Sequence, residues 1–209
     1  MVACSFSTLL ACERMVARSE DPGAQVVPNG AEHLEIQLVA MRRRHLRSVL
    51  RIEAQVHPRP WTMGLFLSEL NLDSRSYWVA RIAGRVVGYG GLMLSFEDAH
   101  VTNISVDPRW QGQRIASHLM AHLTRDAVAR GAQRLTLEVR VSNEPAQALY
   151  RRFGMAPAGV RKGYYIETNE DALIMWADAI DTPDYRARVA TIEASLPGHV
   201  TIDPPVRTP

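Results

Sequence analysis

Between residues 100 and 154 the chain switches its hydrophobic period back and forth, and no other feature constrains its fold as tightly. Residues 100–106 read as a strand. They lead through a polar stretch, Asp107-Pro108-Arg109-Trp110-Gln111-Gly112-Gln113-Arg114, into a helix over 115–130. Ile115, Leu119, Leu123 and Ala127 recur there at helical spacing, with Gly131 as the stop. Residues 134–141 then alternate strictly: Leu135, Leu137, Val139 and Val141 share one face, Thr136, Glu138 and Arg140 the other. A helix over 144–153 ends at Gly154. Such a run fits neither an all-helical nor an all-strand protein. Upstream, the pattern predicts a strand at 35–40, helices over 42–56 and 61–72, and strands at 77–82 and 86–95. Turns are expected at Ala83-Gly84-Arg85 and Phe96-Glu97-Asp98-Ala99. Two last strands are expected near 156–165 and 171–177, so the fold class is α/β with a mixed layer.

A chain of 209 residues that is 46% hydrophobic builds one core, placed here at 34–178. Residues 1–33 lack periodicity and are expected to be a disordered leader or the product of an upstream start codon. Residues 179–209 are expected to be an appendage, with a short helix over 185–196 and disorder from Ile202-Asp203-Pro204-Pro205 onward. A net charge of +2 makes no electrostatic case for nucleic acid, and Arg42, Arg43, Arg44, Arg47 and Arg51 read as a solvated helix face. Both cysteines, Cys4 and Cys12, fall in the leader, which leaves the body without a disulfide framework or thiolate metal site and suits a reducing cytoplasm. No Lys or Arg precedes the lipoprotein-like Ser7-Thr8-Leu9-Leu10-Ala11-Cys12, so no secretory signal is expected. No stretch reaches the roughly 18 apolar residues of a membrane helix. His118 and His122 have the spacing of a helical metal pair but lack a third ligand, so no metal is expected. Gly88-Tyr89-Gly90-Gly91 lies inside a strand, where a dinucleotide loop does not belong.

The loop before residue 115 aims free backbone N–H groups at an anion, and the helix dipole adds to the attraction. Alone, the same pattern also describes an ordinary turn. Glu138 stands opposite the apolar row of its strand, either as a reactive carboxylate or as the neighbour of Arg140 in a surface pair. Ser142 or Asn143 caps the next helix, with Pro145 in its first turn. Seven residues on, Tyr150 shares a helix face with Asn143, as a phenolic acid or as a core tyrosine beside Leu149 and Phe153.

Taken together, Val106-Asp107-Pro108-Arg109-Trp110-Gln111-Gly112-Gln113-Arg114-Ile115-Ala116 and Leu137-Glu138-Val139-Arg140-Val141-Ser142-Asn143, with Ala148-Leu149-Tyr150, resemble the acetyl-CoA site of the GCN5-related N-acetyltransferase (GNAT) superfamily. Within it they are most similar to the bacterial enzymes that acetylate N-terminal alanine. The resemblance spans about residues 35–177 and implies an acyltransferase on a mostly antiparallel central sheet flanked by helices, with acetyl-CoA as co-substrate and no metal. It implies that pantetheine lies along Ile104, Ser105 and Val106, and that Gln111, Gly112, Gln113, Arg114, Ile115 and Ala116 cradle the diphosphate. Arg114 departs from the family, which has a glycine there. Either its side chain resists the required backbone conformation, or Gly112 supplies the flexibility and the guanidinium contacts phosphate.

The resemblance further implies that Glu138 takes the amine's proton through water, that Asn143 orients the cofactor, and that Tyr150 protonates the departing thiolate. Tyr164 and Tyr165 either clamp the incoming peptide or pack as edge-strand aromatics. No nucleophilic Cys or Ser is indicated, so direct transfer is expected. The implied partner is a protein N-terminus, such as that of a ribosomal protein beginning with alanine, met in the cytoplasm by a monomer or weak dimer without membrane contact. The alternatives are a lysine or small-molecule amine acetyltransferase, and a non-catalytic acetyl-CoA-binding module.

Overall fold

The computed structural model describes residues 34–203; the leader with its cysteines, and the chain after Asp203, lie outside the described residues. The elements are β1 (Glu35–Ala40), α1 (Leu46–Val56), α2 (Met63–Leu70), β2 (Arg75–Ile82), β3 (Arg85–Ser95), β4 (Asp98–Val106), α3 (Ile115–Ala129), β5 (Arg134–Arg140), α4 (Glu144–Arg152), β6 (Ala156–Tyr165), β7 (Glu170–Ala177), α5 (Pro183–Ala194) and β8 (His199–Asp203). They form one eight-stranded sheet in the order β6-β7-β5-β4-β3-β2-β1-β8. Only β4–β5 and β1–β8 are parallel pairs. The predicted α/β class and mixed, mostly antiparallel sheet are what the structure has.

Alternation along the strands divides the core in two. On β2, Tyr77 and Val79 face α1 and α2, while Trp78, Ala80 and Ile82 face α3. The α1 side is closed by an aromatic cluster in which Phe66 lies 5.8 Å from Tyr89 and 6.3 Å from Tyr77, both edge-on. Gly90 and Gly91 are explained here. A Cβ on Gly91 would meet the Tyr77 ring at 2.2 Å, and one on Gly90 would meet Leu123 at 2.9 Å. They let a ring and a helix lie directly on the strand.

One feature of the sheet makes room for a site. β4 and β5 pair only at Asp98↔Arg134, Ala99↔Leu135 and His100↔Thr136, and there the ladder stops. From Val101 on one strand and Leu137 on the other, backbone groups no longer bond across the gap.

The C-terminal segment differs from expectation. α5 is present, capped by Thr182, but Ile202 and Asp203 are not disordered: β8 pairs with β1, setting Val200 beside Ile36 and Ile202 beside Leu38. The signal was absent from the local sequence because Ile202 stays exposed, so the strand depends on hydrogen bonds to a distant edge rather than on a buried face. Ile180, Tyr185, Val189 and Ile192 share the core of α3, and the Tyr185 hydroxyl donates to the Phe153 carbonyl at 2.5 Å. Residues 179–203 therefore belong to the folded body.

That packing buries His118 and His122. His118 Nε2 lies 3.0 Å from the Pro197 carbonyl, whereas His122 rests edge-on against Trp78 and neither of its nitrogens finds a partner among the described residues. Burial pushes both imidazoles below their ordinary value. As pH falls through about 6.5 the unfolded chain takes up these protons first, so stability present above that pH is lost below it. We expect His122→Phe to be neutral to about 1 kcal/mol more stable at pH 7. In thermal melts from about pH 8 to 5 it should lose less stability on acidification than the parent protein.

Candidate active site

The gap between β4 and β5 opens into two chambers. One, of about 750 Å³, lies over the start of α3 and beside α4; the other, of about 370 Å³, lies between β4, β5, the end of α1 and the β6–β7 hairpin. Ile104, Asn143, Ala146 and Tyr150 line both, so the chambers meet at these four residues.

The larger chamber holds the phosphate-type loop. Asp107 accepts the Arg109 N–H at 3.0 Å, and the Gln111 amide donates to the Val106 carbonyl at 3.2 Å, which folds the loop back on the end of β4. Gly112 has φ 80° and Arg114 has φ 62° with ψ 11°, after which α3 begins at once. Ser117 and His118 donate to the Arg114 carbonyl, and the N–H groups just ahead of them are the free donors of the helix end. Of the residues expected to touch coenzyme A, Ile104, Val106, Gln111, Gly112, Arg114, Ile115, Ala116, Asn143 and Tyr150 line this chamber. Gln113 does not, and Ser105 turns its hydroxyl to the opposite face, 2.8 Å from His57 Nε2. Gly112 and Arg114 are both left-handed, and Arg114 holds there the conformation that glycine takes freely, at a cost of about 1 kcal/mol.

The smaller chamber collects titratable groups. Glu138 projects into it from β5, with Oε2 3.0 Å from His100 Nε2 and Oε1 accepting from Arg161 Nη1 at 3.0 Å. The His100 hydrogen bond, helped by the Arg161 charge, holds the carboxyl below its ordinary value. The surface pair with Arg140 does not form. Arg140 instead binds Glu167 at 2.6 Å and Glu170 at 3.1 Å, with its guanidinium 3.8 Å over the Tyr165 ring. Tyr164 and Tyr165 line the chamber and pack edge-on against each other at 5.1 Å.

Asn143 caps α4, its side-chain oxygen accepting the Ala146 N–H at 3.2 Å. Tyr150 is 8% exposed, and burial pushes its phenol far above the ordinary value, so the proton stays on the oxygen through neutral pH. Gln147, buried, donates to the Arg140 and Val141 carbonyls and pins the first turn of α4 to the end of β5. That anchor escaped sequence reasoning, as did His100 and the pair Glu53–His57. The latter had a readable signal, an acid and a histidine four apart at the end of a helix. Glu53 is buried, accepts the Trp61 N–H at 2.8 Å, and lies 3.4 Å from His57 Nε2.

The site is that of an enzyme built to bring an acyl thioester and an amine together across a split sheet. Residues 46–155 match the model of the Acetyltransferase (GNAT) family. A putative [ribosomal protein bS18]-alanine N-acetyltransferase of Bacillus subtilis (strain 168) is 42% identical over 137 residues, 65% of this chain and 91% of that protein. The N-alpha-acetyltransferase RimI of Mycobacterium tuberculosis (strain ATCC 25618 / H37Rv) is 35% identical over 153 residues, 70% of this chain and 94% of that protein. The crystal structure of the ribosomal-protein-S18-alanine N-acetyltransferase from Escherichia coli superposes with a TM-score of 0.64 at 29% identity, covering 69% of this chain and 94% of that one. The chain belongs to the GNAT acetyltransferase family and is an acetyl-CoA-dependent N-acetyltransferase.

Because Arg114 holds a left-handed backbone, Arg114→Gly should raise stability by about 1 kcal/mol in denaturant titration. Calorimetry with coenzyme A then isolates the guanidinium: affinity should fall even though the loop is relieved of strain.

Proposed function

We propose that the protein transfers acetyl from acetyl-CoA to the N-terminal α-amine of another protein, and that a ribosomal protein beginning with alanine is the class of acceptor. The observation that carries this is the meeting of the two chambers at Ile104, Asn143, Ala146 and Tyr150. The larger suits the coenzyme, with helix N–H donors for diphosphate and an unpaired edge of β4 for an extended amide chain. The smaller suits the acceptor, and the names of the relatives support the choice of an N-terminal amine.

Acetyl-CoA supplies the activated acyl group; the residues do the rest. The first N–H groups of α3 hold its anionic end, with Arg114 adding a guanidinium. Glu138 draws the proton from the incoming ammonium, and Tyr150 delivers one to the leaving sulfur. The buried phenol is suited to that task because it never ionises near neutrality. An α-amine titrates near 8 and a lysine near 10.4, so deprotonating lysine costs about 3 kcal/mol more. A carboxylate held below its ordinary value is a weak base, which favours the more acidic α-ammonium. A ribosomal-protein acceptor places the reaction in the cytoplasm, and among the described residues no helix is long and apolar enough to cross a membrane.

Thiol release with a peptide bearing a free N-terminal alanine should show turnover. The same peptide with a blocked N-terminus and an internal lysine should show none. Glu138→Gln and Tyr150→Phe should each lower kcat by about 100-fold or more while binding acetyl-CoA normally. Turnover on the blocked peptide would move the acceptor to lysine, and acetyl-CoA binding without turnover on any amine would indicate a binding module.

A further inference from the structure

Both oxygens of Glu138 are already occupied. Oε2 is held by His100 from β4, Oε1 by Arg161 from β6, and the carboxylate is only 14% exposed. Both contacts favour the anion, so a proton placed there would weaken them. His100 has the opposite character. It lines the acceptor chamber beside Glu138 and sits at the last rung of the β4–β5 ladder, and its side chain makes no other hydrogen bond among the described residues.

We propose that His100 is the group that takes the proton from the attacking amine, with Glu138 as the anion that orients it. The inference rests on the acetyltransferase reading above and refines it: Glu138 draws the proton through the imidazole instead of holding it. With Nε2–H donated to Glu138, the lone pair is on Nδ1. The amine arrives as its ammonium; one N–H bond breaks, the proton moves to Nδ1, and the nitrogen lone pair is freed. The nitrogen lone pair forms the C–N bond, the C–S bond breaks, and the sulfur takes the Tyr150 proton. The imidazolium formed is flanked by a carboxylate that stabilises its charge. As the amide forms, its nitrogen gives its second proton to the Tyr150 oxygen, and solvent removes the proton from His100, so the cycle closes.

The other titratable groups around the chamber do not serve. Tyr150, Tyr164 and Tyr165 are all raised by burial and remain protonated. Arg140 is tied to Glu167 and Glu170. Glu53 is almost fully buried and raised by that burial, with one oxygen on the Trp61 N–H. His57 is the one competitor, but its Nε2 is engaged by Ser105 at 2.8 Å and lies 3.4 Å from Glu53.

The test compares the full-length protein with His100→Gln and His57→Gln in kcat/KM for the free-alanine peptide, from about pH 6 to 9.5. A lost base is dispensable once the amine is already neutral. His100→Gln should therefore be about 100-fold slower at neutral pH, recover most of its rate above about pH 8.5, and bind acetyl-CoA as the parent does. His57→Gln should keep the parent's pH profile. A His100→Gln loss that is uniform across pH, or no loss, overturns the proposal, as does transfer of the pH effect to His57→Gln. Should the variant not fold, ¹⁵N NMR of the imidazoles in the parent protein decides: His100 must carry its proton on Nε2, and an Nδ1–H tautomer overturns the assignment. A parent protein inert toward every free N-terminus would overturn the N-terminal acceptor proposed above, and this inference with it. An active parent with an unaffected His100→Gln would overturn the inference alone.

Discussion

The site depends on a ladder that ends early. β4 and β5 bond at three positions and then part, and everything chemical follows from the parting. Parallel pairing continued to Val106 would satisfy the backbone of β4 and leave no groove for an extended ligand. Because it stops at His100↔Thr136, the two strands become the walls of adjoining chambers and α4 fills the far side. Gln147, bonded to the last carbonyls at the end of β5, transmits the strand's position to α4, so Tyr150 arrives where the chambers meet. A buried amide with two acceptors is a stiff link, since breaking it leaves polar groups stranded.

Around this opening the charges are arranged in closed sets. Arg140 is neutralised by Glu167 and Glu170, and Lys162 by Asp171. Glu138 stands between a guanidinium and an imidazole. Exposed pairs of this kind add little stability, but they settle which carboxylate faces the acceptor and in which state. The chamber therefore presents an ionised carboxylate and protonated phenols together at neutral pH. An ammonium is attracted to the first, and a thiolate can be quenched by the second.

Much of this was legible along the chain because it is written in local pattern. Strict alternation over 134–141 put Glu138 opposite Leu137 and Val139, and the structure leaves Leu135, Leu137 and Val139 buried with Glu138 on the chamber side. The spacing of Ile115, Leu119, Leu123 and Ala127 gave the inner face of α3. What could not be read is what register creates. His100 carries no motif, and it meets Glu138 only because β4 and β5 pair in one alignment. Arg161 reaches the same carboxylate from a hairpin whose two register shifts are invisible in sequence. β8 belongs to the same class, a strand defined by its neighbour. Arg114 is the reverse case, where the residue type argued against a left-handed backbone that the loop adopts nonetheless.

The C-terminal segment bears on the site through α3. A helix lying on a sheet ordinarily keeps one face in water, yet from Ile115 to Thr124 only Ala116 escapes burial. The sheet, with β8 at its edge, covers one side of it; α5 and the 195–198 turn cover the other, with Arg125 bound to Glu193 and His118 to the Pro197 carbonyl. Nearly all-round burial fixes the axis of the helix, and with it the direction of the N–H groups at its first turn. Those are the donors that a diphosphate would meet, so the added strand and helix stiffen the coenzyme end of the site without touching it. The family match ends at residue 155, and α5, the turn and β8 all follow it in the chain.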